Sequence, residues 1–161
     1  MNIKIARLRA QVRADRDAAN SQIEALAGLD VGIGDPGEDA QAALALHHAY
    51  AAIESIIERC TLAIEGSRPT GPDSHRALLD SAALEIPGVR PPLVSLELVA
   101  ALKDLRTFRH FLHHAYMAKL DTVRLAELRT AALALRPTLD RDLDALDARL
   151  AALASATGNE P

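Results

Sequence analysis

Between Arg106 and Tyr116 the chain reads RTFRHFLHHAY, a stretch holding two arginines, three of the six histidines and three of the four aromatic residues. Arginine grips an anion with a planar fork of donors, and histidine takes up or releases a proton near neutral pH. That pairing suits cleavage of an RNA phosphodiester without a metal. One group removes the proton of the 2′-hydroxyl, another protonates the leaving oxygen, and a cation steadies the charge on the crowded phosphorus.

Two other chemistries compete for the same residues. His110 with His113 or His114 has the three- and four-residue spacing of helical metal ligands, but no Glu-x-x-His pair accompanies them, and only Asp121 offers a nearby carboxylate. The adjacent His47 and His48 cannot face one point. The plainest alternative is a solvated helix face. Charge weighs against that blandness: Lys103, Arg106, Arg109 and Lys119 face only Asp104 in a chain of net charge −4. The acidic total speaks against a protein coated in nucleic acid, while a basic cleft on an acidic body fits it.

These side chains need a scaffold, and composition selects a helical one. The apolar residues are mostly Ala and Leu, and the β-branched and aromatic types that sheets need are scarce. With 161 residues the chain is read as a single all-α domain over 1–156, followed by a disordered tail over 157–161. Leu8, Val12, Ala19, Ile23 and Leu26 recur at helical spacing from Ile5 until Gly28. VGIGDPGED is a loop in which Asp35 or Asp39 can cap a second helix. That helix carries Leu46, Tyr50, Ile53, Ile57, Cys60 and Ile64 on one stripe and ends near Gly66. HRALLDSAAL reads as a short helix and EIPGVRPP as an irregular loop.

Ser95 is the expected N-cap of a third long helix, Leu96 to Lys119, with Leu98, Leu102, Leu105, Leu112 and Met117 on its apolar stripe. Asp121 caps a last helix to about Ala156, with a kink or restart at Pro137. The expectation is an up-and-down bundle of four long helices. The short helix and Pro-rich loop are inserted between the second and third. Cys60, the single cysteine, has no internal partner, and MNIKIARLRAQ is too charged for a secretory signal, so a cytoplasmic location is expected. No apolar run approaches about 18 residues, so no membrane span is expected.

Arg109, four residues, His114, one residue, then Tyr116 form an R-x4-H-x-Y pattern. With 15 arginines and 6 histidines, chance supplies roughly 0.6 Arg–His pairs at this spacing, and roughly 0.01 once the tyrosine is required. The pattern resembles that of HEPN-superfamily ribonucleases, and most closely the HepT-like toxins of HepT–MntA toxin–antitoxin pairs. HHAYAAIESII (with Tyr50 and Glu54) resembles that family's second helix. SHRALLDSAALEIPGVRPPLVS (with His75, Pro87, Arg90 and Pro91) resembles its insertion. FRHFLHHAYMAKLD follows where expected, so the likeness covers roughly residues 45–125. Two departures stand out: many HepT toxins have Asn where this chain has His110, and the insertion usually has an aromatic where this chain has Ser74.

The resemblance implies a homodimer that brings two motif copies to one cleft. His114 is then the acid–base group and Arg109 the stabiliser of transition-state charge, with His110, His113 and Arg106 in support and no metal or other cofactor. It further implies RNA as substrate and a nucleotidyltransferase antitoxin of the MNT type that attaches AMP to Tyr116. A catalytically silent HEPN module, binding a protein partner or nucleotide through the same face, is the alternative that His110 keeps open. Phe108, Phe111 and Tyr116 are the aromatics available for stacking bases, which implies weak sequence preference. His75 is expected to pack or hydrogen-bond beneath the insertion. Arg90 is expected to form a salt bridge to the bundle in preference to contacting RNA or a partner. Tyr50 and Glu54 read as bundle residues, with the Glu54 carboxylate able to pair with Arg109 or Arg106.

Overall fold

The computed structural model describes residues 3–114 and 120–156, with residues 109–114 described as backbone only. Five helices follow one another: α1 (Ile3–Ala27), α2 (Pro36–Glu65), α3 (Ser74–Ala82), α4 (Leu96–His114) and α5 (Thr122–Ala156). The all-α expectation holds. Among the described residues, the β-type pairing is a lone bridge between Ile86 and Arg90, and no helix is long and apolar enough to cross a membrane.

Local chemistry explains the helix ends. Asp35 is the N-cap of α2, its Oδ1 accepting from Gly37 N at 2.8 Å, and Pro36 opens the helix where no N–H is missed. Asp39 has another task. Its Oδ1 accepts from Gly32 N at 2.8 Å and folds the α1–α2 loop back onto the helix. Gly66, at φ 76°, closes α2 in the left-handed conformation that glycine adopts without strain. Ser95 Oγ accepts from Leu98 N at 3.2 Å, and Asp121 Oδ1 accepts from Arg124 N at 3.0 Å, so both expected caps of α4 and α5 are present.

α2 and α5 pack on each other. α1 and α4 each pack against both of them, and α3 packs against α2 and α4. One apolar cluster draws on all five helices. The α1 positions Leu8, Val12, Ala19, Ile23 and Leu26 are all buried, as the spacing predicted. On α2 the stripe from Leu46 to Cys60 is buried, and Ile64 packs against its edge. Each Leu, Ile or Val among them contributes about 1.5–3 kcal/mol by leaving water.

Ion pairs register α1 antiparallel to α5. Arg9 grips Asp147 with two hydrogen bonds of 2.8 Å, and Arg16 meets Asp144 at 2.6 Å and Asp140 at 2.9 Å. Pro137 does not restart α5, which is one helix from Thr122 to Ala156. The proline removes one ladder hydrogen bond, but Leu135 and Leu139 on either side of it are buried, and their packing holds the two segments as one.

Candidate functional site

α4 reaches the candidate motif from a firmly held start. Asp142 of α5 accepts from Ser95 N at 2.8 Å, and Arg149 donates to Leu93 O at 2.9 Å, tying the entry of α4 to α5. Leu98, Val99, Leu102, Leu105 and Phe108 then face the core. Leu112 lies beyond the described side chains, and Met117 lies outside the described residues. Phe108 is only 5% exposed, so it is a core residue and no platform for a base. Which face of α4 an aromatic occupies depends on the fold, and Phe108 falls on the buried one.

The positions of Arg109, His110, His113 and His114 fall in the last turns of α4, where the backbone is described and the side chains are not. Tyr116 lies outside the described residues, as does the tail 157–161. The described backbone of α4 is α-helical to His114, without a π-turn. Two positions five apart on such a helix stand about 140° apart round the axis and about 7.5 Å along it.

Arg106 is half-buried on α4, and its charge reaches Asp80 of α3. Lys103 binds that same carboxylate at 2.5 Å. The Lys103 hydrogen bond holds the Asp80 carboxyl below its ordinary value, and Arg76 and Arg106 add to the effect. The positive field expected along α4 is therefore partly answered by α3. Sequence alone does not show this, because Asp80 lies 23 positions before Lys103 and meets it only in the fold.

The inserted segment resolves two further expectations. Arg90 is buried to 2% side-chain exposure, pairs with Glu65 at 2.6 Å, and donates to the carbonyls of Ser81, Leu84 and Pro91. It is a clamp on the bundle and has no free face for RNA or a partner. The turn that holds it is built by Pro87 and by Gly88 at φ 75°, with Ile86 and Arg90 exchanging hydrogen bonds of 2.8 and 2.9 Å. Glu54 is a buried bundle residue of α2, as expected, and engages His75 Nδ1 of α3.

That contact belongs to a cleft of about 340 Å³ between α2, the 67–73 loop and α3. Glu54 forms part of its wall, His75 is half-exposed within it, and Arg68 pairs with Glu58 on its rim. Sequence reading missed Glu58 and Arg68. The one available signal was the four-residue spacing of Glu54 and Glu58, which places both carboxylates on one face of α2. Among the described residues, no cluster of His, Cys, Asp or Glu has the arrangement of a metal site.

Comparison with known proteins places the chain. A family model described as HepT-like protein matches residues 41–150, from the second turns of α2 deep into α5. No curated protein and no solved structure matches.

Proposed function

The chain belongs to the HepT-like family, and from that premise we propose that it is a metal-independent endoribonuclease toxin of the HEPN type. The observation that carries this reading is the R-x4-H-x-Y motif inside the matched segment, with the Arg109 and His114 positions in the last turns of α4 and Tyr116 two residues further in sequence.

In the proposed reaction His114 exchanges protons with the 2′-hydroxyl and the leaving oxygen. The O2′–P bond forms as the P–O5′ bond breaks, giving a 2′,3′-cyclic phosphate and a 5′-hydroxyl. Arg109 stabilises the charge that gathers on the phosphoryl oxygens. His110, His113 and Arg106 supply donors and positive charge around them. The regular α-geometry of α4 sets Arg109 and His114 on different sides of one helix, which supports a site assembled from two protomers across a two-fold axis.

Tyr116 is the proposed target of an MNT-type nucleotidyltransferase antitoxin. Each AMP transferred there puts negative charge where an RNA phosphate must bind, and so silences the enzyme.

The test is RNA cleavage in EDTA by wild type, Arg109→Ala and His114→Ala, each confirmed free of AMP by intact mass. Wild type is expected to leave 2′,3′-cyclic phosphate ends, with both variants slower by about 10²–10⁴-fold at unchanged fold. An unmodified wild type that binds RNA without cutting it overturns the nuclease reading. Such a result establishes instead the silent binding module, to which the His110 departure points.

A further inference from the structure

The cleft between α2 and α3 has a consistent polarity. Its two carboxylates are engaged: Glu54 with His75, and Glu58 with Arg68. A carboxylate only accepts hydrogen bonds, so His75 donates through Nδ1 to Glu54, and its other ring nitrogen, Nε2, is directed away from that contact. Arg68 has five N–H donors and a side chain 54% exposed, so its pairing with Glu58 leaves donors for a ligand. Thr70 and Ser74 add hydroxyls to the lining.

The N-terminus of α3 opens here too, and Asp73 gives it no side-chain cap hydrogen bond. One oxygen of Glu54 and one of Glu58 are thus met by His75 and Arg68. The remaining Arg68 donors, the second ring nitrogen of His75 and two hydroxyls belong to the lining. Among the described residues, the apolar side chains of the lining are Pro69 and Leu78, and none is aromatic.

The direction of α3 relates the cleft to the motif. Ala82 O accepts from Leu93 N before α4 begins, whereas Asp80 reaches Lys103 and Arg106 further along α4. The first turn of α3, with His75, therefore lies towards the C-terminal half of α4.

We propose that this cleft is a phosphate-binding subsite. His75, backed by Glu54, and Arg68 grip one phosphate of an RNA strand beside the scissile position. Assignment of that phosphate to RNA rests on the nuclease reading, whereas the phosphate chemistry stands without it. Glu54 is a positioning residue, since it holds the imidazole through Nδ1, and the specificity that results is for strand length and path.

The test uses the full-length protein with two probes, inorganic phosphate and a 2′-O-methyl RNA oligonucleotide that cannot be cleaved. Imidazole nitrogen NMR of His75 is expected to shift with both. Arg68→Ala, a change on an exposed rim, is expected to weaken oligonucleotide binding severalfold and to lower the slope of log affinity against log salt by about one. His75→Gln, with its folding checked by circular dichroism, is expected to do the same. Phosphate that leaves His75 unshifted, with oligonucleotide affinity unchanged in Arg68→Ala, overturns the subsite. Phosphate binding without any oligonucleotide effect overturns the RNA source and keeps the anion site.

Cleavage by wild type separates the two proposals. Intact cleavage with an unaltered KM in Arg68→Ala removes the subsite alone. Absent cleavage with both probes bound at His75 removes the nuclease reading alone.

Discussion

Arg90 shows how one side chain can organise an insertion. Its guanidinium is almost fully enclosed, meets one carboxylate and collects three backbone carbonyls from the end of α3 and the Pro-rich turn. Replacing it with Ala strands Glu65 and leaves those carbonyls without their shared donor. The expected loss is about 3–5 kcal/mol, the range for breaking a buried ion pair on one side. Arg90→Lys keeps the charge but lacks the planar fork, so urea unfolding should place it between wild type and Arg90→Ala. Cys60 offers a complementary readout. Burial pushes its thiol up to about 12, with the charges of Arg149 and Arg90 only partly opposing. Thiol reagents at pH 8 are therefore expected to leave the native protein unlabelled and to modify Cys60 at the rate of unfolding. Rapid native labelling would show that α2 opens at this point. The sequence marked Cys60 correctly as a small apolar side chain, because its place on the α2 stripe is a local property. A salt bridge from Arg90 to the bundle was legible, but its partners were not, because Glu65 and Ser81 come from two other parts of the chain.

At the scale of elements, the seam between α1 and α5 is charged where the rest of their contact is apolar. Arg9 and Arg13 converge on Asp147, and the Arg9 hydrogen bonds hold that carboxyl down to about 2 from an ordinary 3.8. A carboxylate with a depressed folded-state pKa stabilises the fold at pH values above 3.8, and that contribution is lost as pH falls through about 2. The pair is partly open to solvent, so screening keeps its contribution small. Urea midpoints of Asp147→Asn and wild type should therefore differ at pH 6 and converge near pH 2. A constant gap across that range would show that the substitution acts through packing instead. Helix boundaries were read closely from the sequence because they depend on neighbours in the chain. The caps at Asp35, Ser95 and Asp121 and the stop at Gly66 are all short-range chemistry. Pro137 is the instructive exception. Of the kink or restart expected there, the restart does not occur, because Leu135 and Leu139 on either side are buried against the bundle.

For the whole molecule, the decisive matter is how Arg109 and His114 can serve one phosphate when an α-helix sets positions five apart on different sides. The motif residues were legible as a pattern, since spacing in sequence is all that a pattern needs. Their convergence was not, because on the proposed reading it depends on what a second protomer brings to the end of α4. Complementation tests this directly. Arg109→Ala and His114→Ala are each expected to be inactive as homodimers. If the working site takes arginine from one protomer and histidine from the other, a mixed dimer holds one complete site and one doubly defective site. Random exchange of equal amounts makes half the dimers mixed, so recovery should approach about a quarter of wild-type activity. If both residues act within a single chain, no combination of these variants carries an intact pair, and mixing restores nothing. Sedimentation velocity on the same samples shows whether exchange occurred. Full activity in a species that sediments as a monomer would remove the shared site, and α4 would then have to depart from regular helical geometry when RNA binds.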